Sequence, residues 1–445
     1  MTSAGAADRP VDDGRISPQT GQLPRVAFVS QWFAPEPTTT PVWIARSLAQ
    51  RNLRVDVLTG VPNYPAGVVY EGYSAWQRRH EVHHGMRVLR TPLYPSHDQS
   101  ALRRVANYAS YAVSSAVLGS SVLRAADVSL VYSTPPTTAT AAMVARLRWG
   151  LPYVLMVMDV WPDSVFATGF LAEGTKRRVA EPPLTWLTNQ TYHWADHVTA
   201  TSPGMRDTLV ARGVPPEKVS VVYNWTDEKV MRPSEPDHDL RARLGLTDEF
   251  ILMYAGNHGA AQNLDVAVRA MHELRDRPDV HLVLVGDGIE KSSLQALAAS
   301  LDLRSVHFVE PVEAERMPAV MATADLQLVS LADQELFRVT LPSKVQSILA
   351  CAQPILTCAP GDAARVVHEA GAGFSSPPGD SSELAHAIRR AAAVPRPRLR
   401  AMGDAGREYY LTHLGEAANA GTLADLLRGA ANRRRGRRAR AAGAR

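Results

Sequence analysis

The amino-acid sequence predicts an α/β protein in which two doubly wound, parallel-sheet domains face each other across a cleft. At 445 residues the chain is long enough to form two cores rather than one. Short apolar runs alternate with helical patterns of about 10–15 residues in both halves, which is typical of parallel βαβ packing. Each half also places small or polar residues directly after an apolar run, where open parallel sheets bind their ligands.

The first half of the chain predicts one sheet domain, spanning 24–225. Strands are expected at 25–30, 54–60, 86–91, 127–133, 153–158 and 197–202, and helices at 41–51, 101–124, 137–148 and 178–194. The second of these helices contains an uncharged run, 105–123. Five serines, an asparagine and a glycine make this run too polar to span a membrane, so we expect a helix with one apolar face.

The second half repeats the alternation in a domain predicted at 241–396, after an interdomain linker at 226–240. Strands are expected at 250–255, 280–285, 305–309, 325–330 and 354–358, with helices between them and a last helix in the domain at 381–393. A further helical stretch, 397–430, is long enough to return toward the first domain. The two ends, 1–23 and 431–445, are predicted to be disordered, the second as a basic tail.

The positive charge of the chain is concentrated in that tail. The formal net charge is +4, and residues 431–445 hold seven arginines and no acid, so the remainder carries −3 (4 − 7). A basic tail is typical of nucleic-acid binding, of binding to an anionic membrane surface, or of solvation alone. Nucleic acid is the weakest of the three, because no helix-turn-helix, RNA-recognition or zinc-finger pattern accompanies the tail.

Two cysteines, Cys351 and Cys358, lie in apolar surroundings on either side of Pro354. So few thiols in a chain of this size fit a reducing compartment, and both are expected to be small core residues. The first twenty residues are polar and contain no apolar run, so no signal peptide is expected there. The predicted location is the cytoplasm, with the inner face of the cell membrane as a further site for a peripheral protein.

His80, Glu81 and His84 have the spacing of the zinc-binding pattern His-Glu-x-x-His. That pattern requires a helix, because only there do residues i and i+4 share a face. Gly85 and the extended stretch 86–91 favour a pair of strands instead. A metal-dependent hydrolase at these residues is therefore the weaker alternative, and no bound metal is expected.

Asp159 directly follows the apolar strand predicted at 153–158. A carboxylate just beyond a buried parallel strand points into the cleft, which suits orientation of a hydroxyl or transfer of a proton. The alternative is that Asp159 caps the turn that follows it.

Two strands of the second half run into small and neutral polar residues. After the strands at 250–255 and 280–285 these residues are Gly256, Asn257, Gly259, Gln262, Gly286 and Gly288. Glycine lets the backbone approach a diphosphate, and the amide side chains add neutral donors. A plain turn explains the glycines alone, above all those after the second strand.

The segment 341–347 opens a helix predicted at 343–351. Pro342 precedes the first turn, Ser343 is able to cap it, and Lys344 adds a cation at a helix end that already favours anions. The usual alternative is a solvated lysine.

Taken in order, these segments resemble those of the GT-B glycosyltransferases of family 4, and most of all the branch that acts on lipid-linked intermediates of O-antigen and capsule. The resemblance covers residues 25–400 and rests on the segments 32–41, 61–65, 159–164, 255–262 and 341–347. It implies two Rossmann-like domains, with a nucleotide sugar held mainly by the second and an acceptor by the first. It also implies retention at the anomeric carbon without a bound metal.

The resemblance assigns roles to particular residues. Expected at the acceptor are Pro35, Glu36, Asn63 and Trp161. Expected at the donor are the six residues after the two strands, together with Glu310 beside the base, Arg338, Ser343 and Ser347. Asp159 and Lys344 are the expected catalytic residues.

At three places the chain departs from the family. Asn257 and Gln262 replace the Arg and Lys that usually hold the diphosphate, Val339 and Ser347 replace a pair of glutamates, and Met158 replaces a histidine. The departing diphosphate carries about two to three negative charges, which a dry site must compensate. The cation therefore has to come from elsewhere, with Lys344 as the first candidate and Arg338 as the second.

The sequence thus predicts a retaining glycosyltransferase that moves a hexose or an N-acetylated hexosamine from a nucleotide sugar to a lipid-linked or amphipathic acceptor. We expect no cofactor besides this donor, no nucleic-acid partner, and contact of 431–445 with an anionic membrane surface. The main alternative is a catalytically silent, sugar-nucleotide-binding partner of another glycosyltransferase, which the missing glutamates favour.

Overall fold

The computed structural model describes residues 23–96, 100–163 and 175–443; the predicted N-terminal segment 1–23 lies outside these ranges except for its last residue. The strands are β1 (Arg25–Val29), β2 (Arg54–Gly60), β3 (Arg79–His83), β4 (Met86–Thr91), β5 (Val128–Ser133), β6 (Tyr153–Val157), β7 (His197–Ala200), β8 (Val219–Val221), β9 (Phe250–Ala255), β10 (Val280–Val285), β11 (Val306–Val309), β12 (Leu326–Ser330), β13 (Ile355–Cys358) and β14 (Gly373–Ser375).

The α-helices connect and cover these strands. They are α1 (Thr39–Gln50), α2 (Ala101–Leu118), α3 (Ser120–Ala125), α4 (Thr140–Trp149), α5 (Thr175–Trp194), α6 (Pro203–Ala211), α7 (His238–Arg243), α8 (Asp265–Glu273), α9 (Lys291–Ser300), α10 (Met317–Ala322), α11 (Glu335–Arg338), α12 (Ser343–Ala350), α13 (Asp362–Glu369), α14 (Ser381–Ala392), α15 (Arg396–Tyr409) and α16 (Glu416–Gly443). No helix in the described ranges is long and apolar enough to cross a membrane.

Two separate sheets confirm the predicted fold class. The first has the strand order β3-β4-β2-β1-β5-β6-β7-β8 and the second the order β11-β10-β9-β12-β13-β14. Neighbouring strands are parallel except in the hairpin of β3 and β4. The order in which successive strands are added reverses between β1 and β5 in the first sheet and between β9 and β12 in the second. Ligands of such sheets bind beyond the strand ends at these switch points.

The strands are buried because helices cover both faces of each sheet, so they are nearly continuous apolar runs. In β9, for example, five of the six residues are buried, and in β10 likewise five of six. Both cysteines are buried free thiols, as predicted. The sequence did not predict β8 and β14, which are three residues each and carry too short a pattern to be recognised.

The carboxyl ends of the two sheets meet at a direct contact between the domains. Ser202, just beyond β7, donates its hydroxyl to the carbonyl oxygen of Val339 at 2.6 Å. The backbone N–H of Gly204 donates to Oδ2 of Asp362 at 2.8 Å. Since Val339 and Asp362 follow β12 and β13, the ligand-binding edges of both sheets face each other.

The C-terminal helix α16 crosses back onto the first sheet, where its apolar residues pack against β5 and β6. The predicted disorder of 431–445 is wrong for residues 431–443, which continue this helix. The reason is that Arg434 is 3% exposed and donates to the carbonyl oxygens of Ala126 and Trp149, while Arg435 pairs with Asp127 at 2.6 Å. Two of the tail arginines therefore belong to the folded domain.

Candidate active site

The loop after β9 packs tightly against the loop after β10. Gly256 has φ +140°, a backbone conformation that favours glycine. A side chain on Gly286 would collide with the carbonyl oxygen of Gly256, and a side chain on Gly288 with that of His258. The glycines after β10 are therefore required by the close approach of two loops, and they place Gly256 at the surface of the cleft.

Lys344, in the first turn of α12, lies over this loop. Its Nζ is 3.2 Å from the centre of the Tyr254 ring, and a Cβ on Gly256 would be 3.0 Å from it. Burial lowers the pKa of Lys344 to about 7. Ser343 does not cap the helix, because the N-cap position is occupied by Pro342.

Within the described ranges, no carboxylate pairs with the Lys344 ammonium group. The face of Tyr254 offers it a cation–π contact, which stabilises the charge less than a carboxylate would. Desolvating a cation without an acid partner is costly, and an arriving anion removes that cost. The structure therefore brings together Lys344 and Gly256, which the sequence predicted separately, in an arrangement that favours a negatively charged ligand.

Other residues predicted at the donor are partly engaged within the protein. Gln262 accepts a hydrogen bond from the backbone N–H of Gly259 at 3.2 Å, which closes the turn of the loop. Ser347 Oγ lies 3.3 Å from Oγ1 of Thr226, in the segment between the domains. Asn257 is exposed, so its side-chain amide is accessible in the cleft.

Two charged residues predicted at the donor already have partners. Arg338 pairs with Asp333 at 2.6 Å, with both side chains about half exposed. Glu310 accepts from Lys291 at 2.8 Å, and its side chain is 82% exposed. The positive charge of Arg338 is thus partly neutralised in place, which leaves Lys344 as the better candidate for the missing cation.

Asp159 lies just beyond β6, where the sequence placed it. Its carboxylate reaches solvent in the cleft and is 3.5 Å from the hydroxyl of Thr134. The protein around the carboxylate partly desolvates it and so raises its pKa, while the Thr134 hydroxyl opposes this rise. Arg212 holds the segment that follows, because it donates to the carbonyl oxygen of Trp161 at 2.6 Å and pairs with Asp163. Among the described residues, the Asp159 carboxylate accepts no backbone N–H hydrogen bond that would make it a helix cap.

The expectation that Glu36 and Asn63 contact an acceptor is corrected by their burial, 4% and 1% exposed. Glu36 accepts backbone hydrogen bonds from Phe33 at 2.9 Å, Asn63 at 2.8 Å and Tyr64 at 2.9 Å. Burial raises the pKa of Glu36, although these three N–H groups lower it. The carboxylate fastens two loops of the first domain together, and of the pair Pro35 and Glu36 only Pro35 is exposed.

The alternative of a metal-dependent hydrolase is not supported by the fold. His80 and Glu81 lie on strand β3, where successive side chains point to opposite faces, and Glu81 pairs with Arg90 at 2.6 Å. His84 follows in the turn with φ +49°. In the described part of the chain, no group of three or more His, Cys, Asp or Glu side chains is arranged to hold a metal ion.

Sequence reasoning missed Tyr254, because an aromatic residue inside an apolar strand is usually a core residue. Its position two residues before Gly256 was the available indication, since strand residues near the carboxyl end line the cleft. The interdomain contact of Ser202 and Asp362 also had no sequence pattern. Such contacts join segments more than 130 residues apart, so they appear only after folding.

Two facing Rossmann-like sheets, with a lysine beside a glycine-containing loop on one edge and a carboxylate on the other, have the architecture of the GT-B glycosyltransferases. Residues 37–225 match the family model of the glycosyl transferase 4-like domain, and residues 249–393 match that of glycosyl transferases group 1. The chain is 30% identical over 308 residues to the putative colanic acid biosynthesis glycosyl transferase WcaI of Escherichia coli strain K12, covering 68% of this chain and 74% of that protein. The chain belongs to the GT-B glycosyltransferases of family 4.

Solved structures agree on the fold. Sucrose-phosphate synthase of Thermosynechococcus elongatus superimposes with a TM-score of 0.69 at 18% identity, covering 91% of this chain and 98% of that one. The Anabaena protein Alr3699/HepE, solved in complex with UDP, superimposes with a TM-score of 0.66 at 17% identity, covering 91% and 100%. At such identities the likeness concerns the architecture alone.

Proposed function

We propose that this protein is a retaining glycosyltransferase of bacterial glycan biosynthesis. It moves a hexose or an N-acetylated hexosamine from a nucleotide diphosphate sugar to a hydroxyl of a lipid-linked or amphipathic acceptor. The observation that carries the proposal is the half-buried Lys344, which has no acid partner in the described ranges and lies beside Gly256 and over the Tyr254 ring. The relative named for colanic acid biosynthesis and the neighbour solved with UDP support the glycan and the donor class.

The donor diphosphate lies, in this proposal, on the backbone of Gly256 with Lys344 beside it, and Gly259 holds the turn of the same loop. The start of α12 adds a partial positive charge of about half a unit. As the bond to the sugar breaks, negative charge grows on the diphosphate, and these groups are already in place to stabilise it. The amides of Asn257 and Gln262 then serve as neutral donors where other members of the family carry cations.

The acceptor hydroxyl approaches Asp159 from the first domain. Its oxygen forms a bond to the anomeric carbon while the bond from that carbon to the phosphate oxygen breaks, and the electron pair leaves with the diphosphate. The hydroxyl proton passes to Asp159, whose raised pKa brings its basicity closer to the working pH. Retention at the anomeric carbon is taken from the family.

We assign the amphipathic part of the acceptor to the side of the first domain that carries α2. This helix exposes a stripe of apolar side chains on one face: Leu102, Val105, Val113 and Val117, between 58% and 83% exposed. On α16, the exposed arginines 433, 437, 438 and 440 remain available to an anionic bilayer, unlike Arg434. The proposed location is the cytoplasm, at the inner face of the cell membrane.

The proposal is tested with purified protein in two stages. Thermal shift across a panel of nucleotide sugars identifies the donor, because a ligand of the native state raises the Tm. Transfer from that donor to lipid-linked acceptors is then followed, and the anomeric configuration of the product is read by NMR. Donor binding without transfer or hydrolysis would favour the silent partner, and an inverted product would contradict the proposed mechanism.

A further inference from the structure

Four aromatic side chains form a continuous row on the first domain: Trp32, Tyr64, Tyr108 and Trp161. The centre of the Trp32 ring is 5.3 Å from that of Tyr64 and 6.5 Å from that of Tyr108, and Tyr108 is 6.3 Å from Trp161. All four side chains are half-buried, so each keeps an accessible surface. The row comes from four separate segments and ends two residues beyond Asp159.

A buried amide precedes three of the four rings along the chain. Gln31, Asn63 and Asn107 are 0%, 1% and 1% exposed and come directly before Trp32, Tyr64 and Tyr108. Gln31 donates to Asn107 at 2.6 Å, and the Asn107 amide lies 3.5 Å from the side-chain oxygen of Asn63. Adjacent residues point in different directions in both extended chain and helix. Anchoring each amide inside therefore turns the next ring outward.

Other contacts fix the same segments. The Glu36 carboxylate binds the backbone N–H groups of Phe33 and Tyr64, so it joins the loops that carry the first two rings. Arg212 holds the carbonyl oxygen of Trp161. The row is therefore held in position before any ligand arrives, which lowers the entropic cost of binding.

We propose that this aromatic row binds the sugar rings of the acceptor, which rests on the proposed function above. Tryptophan and tyrosine combine an apolar face with a polar edge. A pyranose has the same character, with C–H groups on its faces and hydroxyls at its rim, whereas a hydrocarbon chain is better served by aliphatic side chains. Arg104 donates to the hydroxyl of Tyr108 at 3.4 Å, so a polar rim is part of the row.

Four successive rings offer more surface than a single sugar covers. The acceptor is therefore an oligosaccharide of at least two sugars, and its terminal hydroxyl meets Asp159 beyond Trp161. The enzyme thus extends a glycan that already bears sugars, and the reaction that supplies its acceptor is itself a glycosyl transfer. Transfer of a first sugar to a lipid phosphate would leave most of the row unused.

The experiment measures glycan binding by the full chain. A glycan array identifies the soluble oligosaccharide that the wild type retains best, and titration then compares it with its monosaccharide and with decyl phosphate. Trp32→Leu and Tyr108→Leu each weaken oligosaccharide binding about tenfold, the scale of one lost aromatic contact. Tyr108→Phe, which keeps the ring, and Trp76→Leu, which removes an exposed tryptophan outside the row, bind like the wild type.

Nucleoside diphosphate binding, measured by thermal shift on the same variants, stays unchanged and shows that they are folded. Oligosaccharide binding that is equal in wild type and in the double variant Trp32→Leu/Tyr108→Leu, or absent from both, would overturn the proposal. So would loss of decyl phosphate binding with glycan binding intact, which would assign the row to lipid. If the wild type binds no nucleotide sugar, the proposed function fails instead, and the glycan titration still decides the role of the row.

Discussion

The two sides of the cleft are prepared for their ligands in opposite ways. On the second domain, glycines allow close packing of two loops, and the half-buried Lys344, whose pKa is lowered to about 7, lies over one of them. On the first domain, the Glu36 carboxylate and the neighbouring amide side chains are buried and hold loops together. The groups that this domain exposes to the cleft are a carboxylate and aromatic rings. The second domain thus favours an anion because its binding would offset the unfavourable burial of the Lys344 charge. The first domain favours an acceptor because its loops and rings are already held in position.

The largest effect in a test of this difference between the two sides of the cleft is expected for Asp159→Asn. A general base contributes about 10²–10⁴ to a rate, so transfer falls by a factor of about 10³. Donor affinity is unchanged because Asp159 serves the acceptor side, and both quantities are measured on the purified variant. Asp207→Asn, on the exposed surface of α6, is the matched control. A parallel loss of donor affinity would place Asp159 on the donor side and remove the contrast.

Lys344→Met is expected to lower transfer by about 10²–10³, the scale for losing one charge that stabilises the departing group. The Tm of the free protein rises by several degrees at neutral pH, because a lysine whose pKa is lowered by folding destabilises the fold wherever the unfolded chain would hold it protonated. Lys229→Met, at an exposed position, changes neither quantity. Transfer within a few-fold of the wild type would shift the role to Arg338.

The difference between the two sides also explains what the sequence could predict. The donor side follows from local patterns: β9 and β10 have the predicted bounds, and Gly256 and Lys344 each stand where a strand ends or a helix begins. The acceptor side depends on segments 30 to 130 residues apart. A buried Glu36 and an acceptor-facing one look the same in sequence, because only the folded neighbours decide whether three N–H groups reach it.

The arginine-rich end shows the same limitation. Its composition is typical of a solvated tail, and nothing local indicates that Arg434 finds two carbonyl oxygens at the ends of α3 and α4. Position 339 shows the same limitation. The sequence shows that a glutamate is replaced by valine there, but it does not show that the Val339 carbonyl oxygen accepts a hydrogen bond from Ser202. Long-range hydrogen bonds of backbone groups leave no residue pattern behind.

The pH dependence of nucleotide binding tests the electrostatic role proposed for Lys344 on the second domain. The pKa of Lys344 is about 7 in the free protein, and a bound diphosphate raises it by favouring the charged form. Affinity therefore falls above pH 7, by up to about tenfold per pH unit, until the pKa of the complex is reached. Calorimetric titration of a nucleoside diphosphate between pH 6 and 9 measures this.

Lys344→Arg keeps its charge over that pH range and removes the dependence, since arginine stays protonated. A wild-type affinity that is flat from pH 6 to 9 would mean that the Lys344 ammonium group does not contact the diphosphate. The nucleoside itself, without phosphates, serves as the control ligand and is expected to bind without pH dependence.

The smallest effect on activity is expected at the end of α16. Substitutions there distinguish the arginine that stabilises the fold from those proposed to contact a membrane. Arg434→Ala leaves the carbonyl oxygens of Ala126 and Trp149, one buried and one partly buried, without this donor and costs about 1–3 kcal/mol, so the Tm falls by several degrees. Arg433→Ala, one residue earlier and exposed, leaves the Tm unchanged. Both variants transfer sugar to a water-soluble acceptor like the wild type, because neither residue approaches the cleft.

The triple variant with alanine at 433, 437 and 438 keeps the Tm and loses binding to anionic vesicles, at about 1 kcal/mol per charge. A triple variant that sediments with such vesicles as strongly as the wild type at low salt would show that the exposed arginines are only solvated.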